Sequence, residues 1–101
     1  MTETFEQRLE QMKLRFRARA AAEAIVLQTI VSDLDNGAPA SPLRADIKRI
    51  AHRLAGAAGT FGFAGISSGA IDLETLASDG CESDRLAAAC RRLVQDITQA
   101  A

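Results

Sequence analysis

The 101 residues include a single histidine, His52, in an unusual setting. The segment reads Ala51-His-Arg-Leu-Ala-Gly-Ala-Ala-Gly-Thr-Phe-Gly62, with glycine at 56, 59 and 62. Glycine in a helix interior costs about 1 kcal/mol relative to alanine. A helix with a lone imidazole and glycines one and two turns beyond it has kept that surface bare, as a docking partner requires. A neutral ring nitrogen is a nucleophile that can attack an electrophile such as a phosphoryl group. Arg44, Lys48, Arg49 and Arg53 stand against one acid, Asp46, over this stretch. Lys48 and Arg49, one helical turn before His52, are placed to stabilise an anionic group in transfer.

For this chemistry the imidazole must face away from the core. Leu43, Ile47, Ile50, Leu54 and Phe61 recur at helical spacing, with Ala57 and Ala58 filling the stripe. At ~100° per residue, His52 lies ~200° from both Ile50 and Leu54, opposite the stripe and toward solvent. Ahead of it on the same side come Ala55, Gly56 and Gly59. No Asp or Glu stands three or four positions away, so the imidazole is expected to lack a neighbouring base. An exposed histidine on a helix is ordinarily only a surface residue, and a basic cluster only a solvated face. Small residues also permit close helix contacts, although a face opposite the core makes that reading weaker here. The glycines tip the balance toward function, because they lower stability for no evident packing gain.

The elements that position this segment follow from period and punctuation. Thr4-Phe-Glu-Gln7 resembles a capping box and starts a first helix. Phe5, Leu9, Met12 and Phe16 recur at helical spacing, followed by Ala20, Ala24, Leu27, Val31 and Leu34. This predicts one helix of about thirty residues, or two with a break at 18–24. Asn36-Gly37 is the stop, since both tolerate the left-handed conformation. Ser41-Pro42 opens the second helix, with serine as cap and proline at the first helical position. Gly62 to Gly65 read as a bend. A third helix runs from about Ala64 to Ala77, with Ile66, Ala70, Leu73 and Leu76 or Ala77 inward. Ser78-Asp79-Gly80 ends it, and Ser83 caps a fourth helix with Leu86, Cys90, Leu93 and Ile97 inward. No segment alternates with period two. The expected fold is all-α, an antiparallel up-down four-helix bundle in a single domain over 1–101.

Composition narrows the function classes. The chain is 48% apolar and 25% charged, which suits a folded domain. A net charge of −1 gives no global basic field for nucleic acid or membrane. The locally basic Lys13-Leu-Arg-Phe-Arg-Ala-Arg19 carries one aromatic and reads as a solvated helix face. Cys81 and Cys90 form neither a disulfide framework nor a zinc spacing, and one histidine makes no metal ligand set. Cys90 falls on an apolar stripe and Cys81 in a turn. No signal-peptide pattern occupies the first residues, and no apolar run approaches the ~20 residues of a membrane span. A reduced, cytoplasmic setting is expected. Four complete stripes close a core without a second copy, so a monomer is expected.

The stretch His52-Arg-Leu-Ala-Gly-Ala-Ala-Gly-Thr-Phe-Gly62 resembles the signature of histidine phosphotransfer (HPt) domains. That pattern is His-x-Leu-Lys-Gly-x-Ala, three further positions with an apolar last, then Gly. His52, Leu54, Gly56, Ala58, Phe61 and Gly62 match it, and Leu73-Glu74 resembles the Leu-Glu of the family's next helix. The resemblance implies a helical bundle of about this length, acting in a multistep two-component phosphorelay. It implies that His52 accepts a phosphoryl group from an aspartyl phosphate on a response-regulator receiver domain and passes it to another receiver. A hybrid sensor kinase is an implied partner. The chain would hold no cofactor of its own, the Mg²⁺ and acidic pocket belonging to the receiver. Arg53, Ala55, Gly56 and Gly59 would form the docking surface. The family often has lysine three residues after the histidine, where this chain has Ala55; Lys48 or Arg49 is expected to substitute.

Two other functions compete. One is the phosphoacceptor part of a sensor histidine kinase, which often has an acid directly after the histidine; here Arg53 follows. The chain also lacks a Gly-rich nucleotide motif, so autonomous ATP-dependent kinase activity is not expected. The other is a helical interaction module that handles no phosphate, for which Ala55 is the best support.

Overall fold

The computed structural model describes residues 2–100; Met1 and Ala101, the ends of the expected 1–101 domain, lie outside the described residues. Four helices follow in order: α1 Phe5–Asp35, α2 Ala40–Phe61, α3 Ala64–Asp79 and α4 Ser83–Ala100. Among the described residues there is no strand. Thr4 caps α1 as its sequence requires. Its hydroxyl accepts from the Gln7 backbone N–H at 3.1 Å, and its own N–H donates to Gln7 Oε1 at 2.9 Å. The Ala-rich stretch at 18–24 does not break the helix, because alanine is the strongest helix former. At the far end Gly37 takes the left-handed conformation (φ 86°), while Asn36 does not.

α2 begins at Ala40, two residues earlier than a Ser41 cap would set it. Pro39 occupies the cap position and no side chain bonds the first turn. Pro42 is tolerated there because the first-turn N–H groups have no intrahelical partner. The expected bend at 62–65 is shorter, since α3 already starts at Ala64. Gly62 (φ 82°, ψ 18°) closes α2, its N–H bonding the Ala58 carbonyl. Ser83 is the first residue of α4 rather than its cap, and the Leu86 N–H bonds the Glu82 carbonyl at 3.0 Å.

Short turns make sequential helices antiparallel neighbours. α1 packs on α2, α2 on α3, α3 on α4, and α4 returns to α1, which closes the ring. The core is aliphatic, centred on Leu27, Ile47, Ile50, Leu54, Leu73 and Leu93, and no polar or charged side chain among the described residues is buried. Ala51 joins the buried stripe of α2, and Leu43, Ala57 and Phe61 pack at its edge. Ala77, not Leu76, is the buried residue in the last turn of α3.

The first turns of α1 depart from expectation. Phe5 is 80% exposed, Met12 is exposed, and Leu9 is only partly covered. The reason is length. α1 spans about 46 Å and α2 about 33 Å at 1.5 Å per residue. The Asp35–Ala40 turn aligns them at one end, so α2 runs out where Phe61 meets Phe16, with ring centroids 6.0 Å apart. Phe63 also packs on Phe16 at 5.2 Å, and the Arg17 guanidinium lies over the Phe63 ring. These rings seal the end of the core, and the apolar stripe of α1 continues past it uncovered. The molecule is 55 Å long and 21 Å across.

Candidate functional site

Ile47, Ile50, Ala51, Leu54 and Ala58 bury one side of α2, which turns His52 outward in mid-helix. Its side chain is 76% exposed. It is not without an acid. His52 Nδ1 lies 2.9 Å from Glu74 Oε2 on the neighbouring helix α3. An ionised carboxylate can only accept, so Nδ1–H is the donor. With the Nδ1 proton fixed there, the neutral imidazole carries its lone pair on Nε2. The expectation of an imidazole lacking a nearby carboxylate is therefore corrected. Scanning positions on the histidine's own helix could not find a partner 22 residues downstream.

α3 delivers Glu74 because its neighbour Leu73 is fully buried, as is Ala70, with Ala77 buried in the same stripe. That packing fixes the rotation of α3 and leaves Glu74 at the boundary, 28% exposed, beside α2. Small residues let the two helices approach. The Ser67 hydroxyl donates to the Ala55 carbonyl at 3.3 Å, and a Cβ built on Gly59 would lie 3.6 Å from Ser67 Oγ. Gly59 thus has a packing neighbour on α3, contrary to a face free of helix contacts. A Cβ at Gly56 would meet nothing within 4 Å.

The cations around His52 are mostly engaged. Arg49 pairs with Asp46 at 3.2 Å and Arg53 with Glu23 of α1 at 3.0 Å. Arg44 donates to the Cys81 carbonyl in the α3–α4 turn, tying that turn to α2. Lys48, exposed one turn before His52, has no acid within 4 Å among the described residues. Ala55 is half-buried against the core rather than presented to solvent. Gly56 and Gly59 are exposed, and Gly59 borders a shallow cleft whose other wall includes Ser68, Ile71 and Asp72 of α3. Ile71 is an exposed apolar side chain on this face.

The family model of the Hpt domain matches residues 1–101. The chain belongs to the Hpt domain family. Comparison with curated proteins and with solved structures gave no match. Hpt domains serve histidine phosphotransfer in phosphorelays and interact with receiver domains. The helical bundle expected of an Hpt domain is the fold observed. No helix among the described residues is long and apolar enough to cross a membrane, and no group of three or more His, Cys, Asp or Glu residues there could hold a metal ion. Within this Hpt domain, sequence reasoning missed Glu74 as the histidine's partner, although the Leu73-Glu74 pair was its signal. It also missed Ile71, an apolar residue outside the inward stripe of α3, whose place beside the histidine's helix depends on how α3 packs on α2.

Proposed function

We propose that His52 is the phosphoacceptor of a multistep two-component phosphorelay. The observation that carries this is the His52–Glu74 pair: Nδ1 held by a carboxylate, with Nε2 left as the nucleophile on an open face. In the forward step the Nε2 lone pair bonds to phosphorus of a receiver's aspartyl phosphate. The P–O bond breaks, and its electrons leave with the aspartate carboxylate. The ring gains positive charge, which the Glu74 carboxylate opposes. The same step in reverse delivers the phosphoryl group to a second receiver. Lys48 is the cation best placed to stabilise the transferred group, with Arg49 secondary because it is shared with Asp46.

Gly56 and Gly59 seat the receiver domain, Ile71 offers it an apolar contact, and Ala55 and Arg53 flank the seat. All these residues lie on one chain, so a single bundle is sufficient for transfer. The Mg²⁺ ion and acidic pocket belong to the receiver, and this chain supplies no cofactor. A hybrid sensor kinase carrying a receiver is the upstream partner, and the exchange takes place in the cytoplasm.

The test is a panel of phosphorylated receiver domains presented to wild type and to His52→Gln. Label should pass to wild type from at least one donor and never to the variant. Absence of labelled wild type from every donor counts against the relay. Incubation with ATP alone should leave His52 unlabelled, and autophosphorylation would favour a kinase fragment instead. Signalling that persists in a His52→Ala variant would favour a module that handles no phosphate.

A further inference from the structure

α1 is apolar on two sides. One side forms the core, through residues such as Leu27 and Val31. The opposite side carries Leu14, Ala18, Ala22, Ile25 and Val26, all exposed, with Ile25 at 65%. Between Ala20 and Ser32 the only charged residue is Glu23, and Arg53 already holds it. Within that span Thr29 is the polar residue on the outer side, and an exposed apolar strip of this kind marks a contact surface. Here nothing in the bundle covers the outer side.

The charges at the two ends of this face say what does. Arg15, Ala22, Val26 and Asp33 lie along one ridge, at i, i+7, i+11 and i+18. Neither Arg15 nor Asp33 has an ion-pair partner within 4 Å among the described residues, whereas Lys13 pairs with Glu10 and Asp35 with Arg91. The ridge is thus positive at one end, apolar in the middle and negative at the other. Such a pattern is complementary to itself when reversed. A two-fold axis at Ala24, midway between positions 15 and 33, sets each Arg15 against Asp33 of the other copy and Ala22 against Val26. Ile25 then packs on the small side chains of the opposing helix. Residues facing each other across a two-fold in this way form an isologous interface.

We propose that this face of α1 is the homodimer interface of the protein, formed by antiparallel pairing with a second copy. The inference is independent of the phosphotransfer reading, since His52 and Glu74 lie on α2 and α3 and not on this face of α1. The bundle core needs no partner; the pairing belongs to the surface. A single helix pair is small beside interfaces of ~1,200–2,000 Å², so the dimer is reversible, with a dissociation constant on the order of 10–100 μM.

Sedimentation equilibrium of the full chain from ~10 μM to ~1 mM tests this, with circular dichroism confirming that each variant stays folded. Wild type should pass from monomer to dimer over that range. Ile25→Glu should raise the dissociation constant roughly tenfold or more. Arg15→Asp and Asp33→Arg should each weaken the dimer, and the two together should restore it. A wild type that stays monomeric overturns the proposal, as does a dimer indifferent to Ile25→Glu. Failure of the charge swap to restore association overturns the antiparallel register. A dimer lost through Phe5→Glu instead moves the interface to the overhanging turns of α1 and also overturns it.

Discussion

Replacing Glu74 isolates the electrostatic part of the proposed transfer step. When Nε2 bonds to phosphorus while Nδ1 keeps its proton, the ring carries a positive charge close to the Glu74 carboxylate, whose oxygen is 2.9 Å from Nδ1. Charges roughly 4 Å apart interact by about 1 kcal/mol in water and about 4 kcal/mol at the effective dielectric of a protein surface. His52 is mostly in water and Glu74 is mostly covered, so the lower part of that range applies. About 1.4 kcal/mol, or roughly tenfold in rate, is expected to be lost in Glu74→Gln, which keeps a hydrogen-bond acceptor but no charge. Glu74→Ala also releases the ring and its tautomer. A further ~1 kcal/mol brings the loss to about fiftyfold. The assay is single-turnover transfer from a phosphorylated receiver that labels wild type, with the order Glu, Gln, Ala in falling rate. Global stability should change by less than about 1 kcal/mol, because the imidazole of the pair stands largely in water. A folded Glu74→Ala protein that accepts phosphate at the wild-type rate would refute the assignment of Nε2 through the carboxylate.

Lys48→Ala should slow the same transfer by about three- to tenfold, a transition-state contact of roughly 1 kcal/mol, and Arg49→Ala by less because Asp46 already holds that guanidinium. Unchanged rates in both would show that no cation replaces the lysine absent at Ala55. Two glycine substitutions should move stability in opposite directions when followed by urea unfolding. Gly62→Ala should destabilise by about 1–2 kcal/mol, since its φ of 82° suits no L side chain, and Gly56→Ala should stabilise by up to about 1 kcal/mol, since its Cβ enters open space. Burial pushes the Cys90 thiol up to about 12 from an ordinary 9.0. The folded state therefore holds this proton to higher pH than the unfolded chain does. Its contribution is complete below about pH 9 and is lost at up to about 1.4 kcal/mol per unit as pH rises toward 12. Cys90→Ala should lack that extra slope in alkaline unfolding curves, and iodoacetamide should label Cys81 in the native protein but Cys90 only after unfolding.

The inward residues of α2, α3 and α4 were legible because each helix has a single apolar stripe, and a stripe fixes rotation. The outward direction of His52 followed from the same arithmetic. What the period does not carry is relative position between helices. Phe5 and Met12 have the spacing of core residues, yet they lie beyond the ends of their neighbours, which only helix lengths and turns determine. Glu74 likewise reads as the polar neighbour of a buried leucine until α3 is set beside α2. The cationic cluster looked like a field around the imidazole. Geometry divides it, since Arg44, Arg49 and Arg53 bind other groups and Lys48 alone has no such partner among the described residues. Cap assignments failed by two residues at Ser41 and by one at Ser83, because several residues of a first turn satisfy the same backbone requirements.

The arms of the site belong to consecutive helices, whereas the α1–α4 seam joins opposite ends of the chain, with Ala20 and Ala100 lining one groove. Contacts close in sequence form quickly and those far apart form slowly. The imidazole and its carboxylate thus depend on helices adjacent in sequence, and ring closure on the most distant ones. Core substitutions along α1 or α4 are accordingly expected to change how many molecules are folded more than how fast each folded molecule transfers, Glu23 excepted because it holds Arg53.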